Sequence, residues 1–450
     1  MQKLLVLEWH RLTRNRLTWV LLIFLSVACL LAIGQGRSVL HRQIEARQIA
    51  SQADSASQKR VEDVLNEDAD PASAILAPYW VSKTVVSSVP PLADFSVGRA
   101  PHEPHSTKVS LRSRGDTLFS RTAIDNPELA ARGTVDLGFV AVVLLPLALI
   151  AFGYNLFTDD REKGTARLIL NEGISPVGML VARSVPRVLL AVAPILVSAF
   201  ILVSVGPDLD GRPAAVVGWV AIAVSLCVFW WSLIVLTNTF DITSETAALA
   251  LVSIWALFTL VFPAAISAVA EVAYPPPSRL EQIVTARAVQ VASTEAYEND
   301  HPETVSGGVE GRLASIRKSL SISREVDKAL LPIADRFNTQ LEGQQRLVRN
   351  LSLLSPPMVA ADALTASAGT DVTRSIEFHK AARRYLAQLK AALGDVVDRG
   401  EVMSRQEYDQ LPTFVWRADE NQPLRSAALL LILSLVLFGV SFVRLRRVSV

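Results

Sequence analysis

The residue types that do chemistry are sparse in this chain. The nearest approach to a metal motif is His102-Glu103-Pro104-His105. H-E-x-x-H works because two histidines one helical turn apart share a face and present two nitrogens to zinc. Here the spacing is one residue short and Pro104 interrupts any helix, so the four residues read as a solvated polar turn. A dedicated site would also need further ligands and groups to orient them. His301 and His379 have no neighbours in sequence that would complete a site. No G-x-S-x-G nucleophile elbow is present. No G-x-x-x-x-G-K-[ST] phosphate loop is present either, and Gly307-Gly308 lacks the lysine that would follow. The expectation is no catalytic residue, no metal and no cofactor in this chain. The two cysteines, Cys29 and Cys227, lie inside apolar blocks, which leaves neither a disulfide framework nor a cysteine metal site. With 44 Lys and Arg against 43 Asp and Glu, the charge balance gives no reason to expect nucleic acid as a partner. One compact charged stretch remains, Asp160-Arg161-Glu162-Lys163-Gly164-Thr165. Asp159, Asp160 and Glu162 put negative charge where the first turn of a short helix favours it. Ala166, Leu168, Ile169 and Leu170 add apolar surface, and Gly173 and Pro176 punctuate the end.

The elements that must position this stretch are long apolar runs. A helix crossing the hydrocarbon needs roughly 20 apolar residues. Six uncharged runs reach that length: Arg16 to Arg37, Asp136 to Asp159, Arg187 to Asp208, Arg212 to Asp241, Glu245 to Glu271 and Arg425 to Arg444. Each lacks the polar face of a soluble helix. Lys3, Arg11, Arg14 and Arg16, then Arg161, Lys163, Arg167, Arg183 and Arg187, then Arg444, Arg446 and Arg447 all fall on one side of six spans. That side is expected to be the cytoplasm, with both termini on it. A cleaved signal peptide is the competing reading of the first run; its length and the amphipathic segment before it, with Leu5, Trp9 and Leu12 on one face, favour a span preceded by a surface helix.

The expected division is 1–16 amphipathic helix, 17–34 first span, 35–135 first extracytoplasmic domain, 136–157 second span, 158–187 cytoplasmic loop, 188–270 third to fifth spans, 271–424 second extracytoplasmic domain, 425–443 sixth span and 444–450 cytoplasmic tail. The fold class is mainly α, a polytopic membrane protein with two mostly helical outer domains. Arg37–Asp68 reads as a helix continuing out of the membrane, and Trp80–Val89 as a strand between proline breaks. Val326, Leu330, Ile333, Phe337 and Leu341 mark one helix face, and Ile376, Tyr385, Leu386, Leu389, Leu393 and Val396 another; both read as core packing. Pro146 and Pro194 are expected to kink their spans. The span interiors are almost free of charge, which argues against ion-coupled transport.

The loop also carries a resemblance. Asp160-Arg161-Glu162-Lys163-Gly164-Thr165, preceded by Gly153-Tyr154-Asn155-Leu156-Phe157 and followed by an apolar run, resembles the first intracellular loop of ABC-2 type transporter permeases. The span order resembles the branch with two large extracytoplasmic domains, described mainly as a domain of unknown function. The specific part is Asn155–Pro176, where Ala166 replaces the more usual leucine. The resemblance implies a coupling helix that docks on a separate ATP-binding subunit, with Asp160, Arg161, Glu162, Gly164 and Thr165 contributing to or shaping that contact. ATP and Mg would then belong to the partner subunit. It further implies a bacterial inner membrane, export, and pairing with a second copy or a related permease. The alternative expectation is a membrane-anchored scaffold or sensor whose outer domains bind an envelope partner.

Overall fold

The computed structural model describes residues 2–65, 75–98, 104–115, 117–119, 135–165, 175–209, 211–275, 278–301, 309–416 and 423–447. Among them six helices are long and apolar enough to cross a membrane: Arg16–Leu65, Leu137–Glu162, Val177–Val205, Arg212–Asn238, Ser244–Ala273 and Leu424–Leu445. We refer to these as the first to sixth spans. The fold is mainly α. The strands β1 (Ser82–Val86) and β2 (Ser106–Ser110) pair antiparallel, with Thr84 opposite Lys108. The strand expected over Trp80–Val89 is thus five residues long, because Trp80 ends a short helix, Ala77–Trp80. His105 leads into β2, while His102 and Glu103 lie outside the described residues.

The second and fourth spans are the centre of the bundle: 67% of each apolar window is buried, against 11–28% for the other four. Leu145, Leu149, Trp219, Ile222, Leu226, Trp230 and Ile234 are the heart of this core. The faces left open carry Val20, Phe24, Leu30, Leu196, Phe200, Leu435 and other large apolar groups. Apolar outside as well as inside is what a lipid-facing bundle requires.

Two spans change winding ahead of a proline. Val140–Leu144 is a π-turn before Pro146, and Leu257–Val261 a second one before Pro263. A proline removes a backbone donor and crowds the carbonyl one turn back; widening that turn relieves the clash. Carbonyls in both turns are taken by side chains from elsewhere. Trp255 Nε1 donates to Val143 O at 3.2 Å, and Ser355 Oγ donates to Phe258 O at 2.8 Å. The third span instead runs through Pro186 and Pro194 as one helix, with Ser198 Oγ donating to Pro194 O at 2.7 Å.

We call the end of the bundle holding residues 158–165 the turn end and the opposite one the lobe end. The first span continues without a break into the lobe as a 50-residue helix, about 75 Å at 1.5 Å per residue. The expectation of two separate domains over 35–135 and 271–424 is corrected by the packing. Val61, Val81, Val85, Val109 and Leu118 from the first segment share one core with Phe378, Tyr385, Leu389, Leu393, Met403 and Tyr408 from the second. Arg374 Nη2 donates to Ser88 Oγ at 2.6 Å across the same boundary. One lobe thus forms from both segments. The expected faces hold in part. Val326, Leu330 and Ile333 are buried against the helix Arg279–Asp300, but Phe337 is 40% exposed.

The second segment also does not stay in the lobe. The helix Val309–Ser352 packs along the latter part of the fifth span. After it, Ser355 reaches Phe258, near the middle of that span. The helix Pro356–Ala368 then returns against the fourth and sixth spans, and Ser367 Oγ donates to Ala215 O at 2.9 Å near the start of the fourth. Residues 351–368 are therefore a re-entrant turn and half-length helix inside the bundle, not part of an outer domain. The 13-residue helix is too short and too mixed, with Ser, Thr and Asp, to stand out as a span.

Candidate functional site

The turn end is organised by what happens after the second span. Its helix gives way at Tyr154–Phe157 and restarts as the short helix Thr158–Glu162. Gly164 then adopts φ +70°, a left-handed conformation that glycine reaches without strain and that reverses the chain. A Cβ at Gly164 would meet no atom within 4 Å, so the glycine is there for its backbone and not for lack of space. Residues 166–174, with Ala166, Leu168, Ile169, Leu170 and Gly173, lie outside the described residues.

The charged side chains of this turn point largely inward. Asp160 is buried and pairs with Arg183 Nη1 at the start of the third span. Thr165 Oγ1 donates to Asp160 Oδ1 at 3.0 Å, closing the turn on the same carboxylate. Arg161 reaches the end of the fourth span, where Nη2 donates to Asn238 O at 2.6 Å and Nη1 to Phe240 O at 2.7 Å. Asn238 O is among the carbonyls that a helix end leaves without internal donors, Phe240 O lies just beyond it, and a cation there also complements the helix dipole. Asp241 lies 3.6 Å from the same guanidinium. Glu162 accepts from the backbone N–H of Ser244, at the start of the fifth span, and Ser244 Oγ donates to Thr158 Oγ1 at 2.9 Å. Four residues of one turn, Thr158, Asp160, Arg161 and Glu162, thus tie it to three spans.

Two further groups complete the joint. Asn238 is fully buried; its amide donates to Gly153 O at 3.0 Å and its oxygen accepts from Phe157 N–H at 3.1 Å. It fastens the end of the second span to the end of the fourth. Glu8, on the N-terminal helix Gln2–Arg14, is buried between Arg183 Nε at 3.3 Å and Arg187 Nη2 at 3.4 Å. Arg11 links that helix outward, 3.7 Å from Asp159, which also holds Lys163 at 2.7 Å. The N-terminal helix is therefore not a free surface element: Trp9 is 44% exposed while Leu12 and Glu8 are buried.

The sequence reading found Asp160, Arg161, Glu162, Gly164 and Thr165, and the structure brings them together in one turn. It missed Glu8, Asn238 and Ser244, and took Arg183 and Arg187 only as topology-setting charge. Glu8 had a signal, as the single acidic residue among Leu4, Leu5, Leu7, Trp9 and the basic residues of the N-terminal segment. Asn238 had none, since a polar residue at a span end is ordinary.

Chemically this is a mechanical arrangement. The carboxylates are matched by guanidinium groups and backbone donors, and among the described residues of the turn no nucleophile stands beside a free base. Among the described residues, no group of three or more His, Cys, Asp or Glu is placed to hold a metal ion. What the turn offers outward is Lys163, Gly164 and the outer side of Glu162, beside Phe240, over whose ring Arg444 lies at 3.9 Å. That small exposed surface continues from the second span and is bonded to the ends of the third, fourth and fifth.

Residues 289–417 match a family model described as a domain of unknown function (DUF3526). The match begins in the helix Arg279–Asp300, covers the re-entrant turn and the lobe helix Val372–Arg399, and stops before the sixth span. It lies outside Asn155–Pro176 and so does not bear on the turn. No curated protein and no solved structure matches the chain.

Proposed function

We propose that this chain is the membrane-spanning permease subunit of an ATP-driven transporter of the ABC-2 type, moved through its 158–165 turn by a separate ATP-binding subunit. The observation that carries the proposal is the fastening of a short turn to the three spans that follow it, through Asp160–Arg183, Arg161 to the carbonyls at the end of the fourth span and Glu162 to Ser244. A topology-setting connector would need charge but no such inward bonding. In this reading Lys163, Gly164 and Glu162 meet the partner, while Asp160, Arg161 and Thr165 hold the turn in shape. ATP and Mg bind to the partner chain.

The remaining parts follow the same reading. Arg11, Arg161, Lys163 and Arg444 at the turn end favour a cytoplasmic location, so that the lobe stands outside a bacterial inner membrane. The fifth span is the least covered of the six, which suits contact with lipid or with a second permease. Export is the direction proposed, with the lobe receiving cargo or passing it on. The test is co-purification of tagged full-length chain from its native membrane, followed by mass spectrometry and an ATPase assay in nanodiscs. An ATP-binding subunit should be recovered, and Glu162→Gln with Gly164→Val should abolish stimulated ATPase activity while leaving the chain folded. Recovery of envelope proteins alone, with no ATPase, would instead make the chain a membrane-anchored scaffold.

A further inference from the structure

At the lobe end, a cleft of about 540 Å³ opens between the first span and the end of the third, a volume in the usual range for a small-molecule site. One wall is a single helix face, with Gly34, Arg37, Ser38 and His41 at successive turns. The other is Leu202 and Val205, and the floor is Asp94. The cleft sits at the level where the neighbouring spans end. Gln35 accepts from Val135 N–H at 3.0 Å just ahead of the second span, and Asp94 pairs with Arg212 at the start of the fourth. For a bundle that crosses a membrane, this is headgroup depth.

We infer that this cleft binds a phospholipid with an anionic headgroup, the phosphate held by Arg37 and His41 and the chains running down the open faces of the first and third spans. Three observations converge on that occupant. First, the charge is one-sided. Arg37 and His41 are exposed and no carboxylate among the described residues pairs with them. The single acid of the lining, Asp94, has both oxygens taken by Arg212, at 3.2 and 2.8 Å, so it repels little. Second, the apolar surface lies on the membrane side. Leu30 and Leu31 on the first span and Phe200 and Val203 on the third are 46–72% exposed, just inward of the basic pair. Third, the notch is built. Gly36 presses the first span against residue 94, where an added Cβ would come within 2.1 Å of the backbone oxygen, whereas a Cβ at Gly34 would meet nothing within 4 Å. The span is thus anchored on one side and open on the other. This inference needs only that the bundle lies in a bilayer, and it is independent of the transporter reading.

The test uses purified full-length chain in mixed nanodiscs of phosphatidylglycerol and phosphatidylcholine, with retained lipid counted by native mass spectrometry after transfer to detergent. Phosphatidylglycerol should be retained in preference, and Arg37→Gln should weaken that retention about fivefold, the size expected of one basic side chain near an anionic surface. Gly34→Trp should fill the notch and remove the bound lipid with little change in melting temperature. Arg37→Gln, at an exposed position, carries the test alone if the tryptophan variant does not fold. Equal retention of the two lipids, or retention unchanged in the variants, would overturn the inference. So would a Gly34→Cys variant that cross-links to a second copy in native membranes, since a protein would then occupy the cleft.

Discussion

Asp94–Arg212 at the lobe end and Asp160–Arg183 at the turn end are both buried carboxylate–guanidinium pairs that hold a segment outside the spans' long helices against the ends of spans. Their surroundings differ. Arg212 has Asp94 on two nitrogens and adds Pro91 O at 2.7 Å and Leu202 O at 3.0 Å. Residues 92–97 around it are all buried, with Trp219 Nε1 donating to Ser96 Oγ at 2.9 Å and Thr370 Oγ1 to Ser96 O at 2.8 Å. Arg183 also reaches a carbonyl, Leu156 O, but divides its carboxylate partners between Asp160 and Glu8, on different elements, and Glu162–Gly164 beyond it are exposed. One joint is sealed into the bundle. The other is assembled from parts that meet at its edge. A buried pair is thus a device for fixing a joint, and its neighbours decide whether the joint can also be grasped from outside.

That contrast is open to direct attack. Arg212→Met strips the paired cation from a buried aspartate, and about 3–5 kcal/mol of stability should be lost, read as a fall in melting temperature in detergent. A loss equal to or smaller than that of Asp160→Ala at the turn end would erase the difference between the ends. Asp160→Ala should cost less, about 2 kcal/mol, the scale of a hydrogen bond to a charged group. Arg183 keeps Glu8, so the double variant Asp160→Ala with Glu8→Ala should lose more than the sum of the two single changes. Gly164→Ala forces a side chain into a left-handed position and should cost about 1–2 kcal/mol. Because nothing crowds the position, the loss should be no larger for Gly164→Ser. Glu162→Gln should cost below about 1 kcal/mol, as a partly solvated pair does, while still impairing ATPase coupling.

The smallest effect separates the ends by pH. Burial, and then the charge of Arg383, hold the His379 imidazole in the lobe down at about 4. The unfolded chain therefore binds a proton near pH 6.5 that the folded lobe refuses. Stability from this group is complete above about pH 6.5 and is lost as pH falls toward 4. Its ring stacks on Phe119 at 4.0 Å, but it is partly solvated, so the slope should be shallow. Hydrogen exchange between pH 7 and 5 should loosen the lobe helix Val372–Arg399 before the turn end, and His379→Phe should flatten that response.

Much of the turn was legible because its residues are neighbours in sequence. The acidic start, the glycine and the threonine of Asp160–Thr165 are local features of a turn, and local features are what a sequence displays. Where their side chains point was not. Charged residues beside a span read as solvated or partner-facing, yet Asp160 and Arg161 turn inward because three span ends bring donors and bare carbonyls within reach. The re-entrant helix Pro356–Ala368 was invisible for a related reason. Its 13 residues carry too little hydropathy to declare a membrane element, and only the packing of Ser355 on Phe258 and Ser367 on Ala215 reveals its depth.

The sequence by itself determined the six apolar helices, their order, the basic turn end and the long exit of the first span. Each depends on the composition of one continuous run, since a bilayer tests every segment for unmet backbone groups and exposed charge. Tertiary structure decided what depends on distant residues meeting. It joined two polar segments into one lobe through a core to which both contribute. It chose Glu8 and Arg183, 175 positions apart, as partners. It left a notch at Gly34 by pressing Gly36 against residue 94. Pairing across such separations is fixed by the shape of the packed bundle, and no local pattern records it.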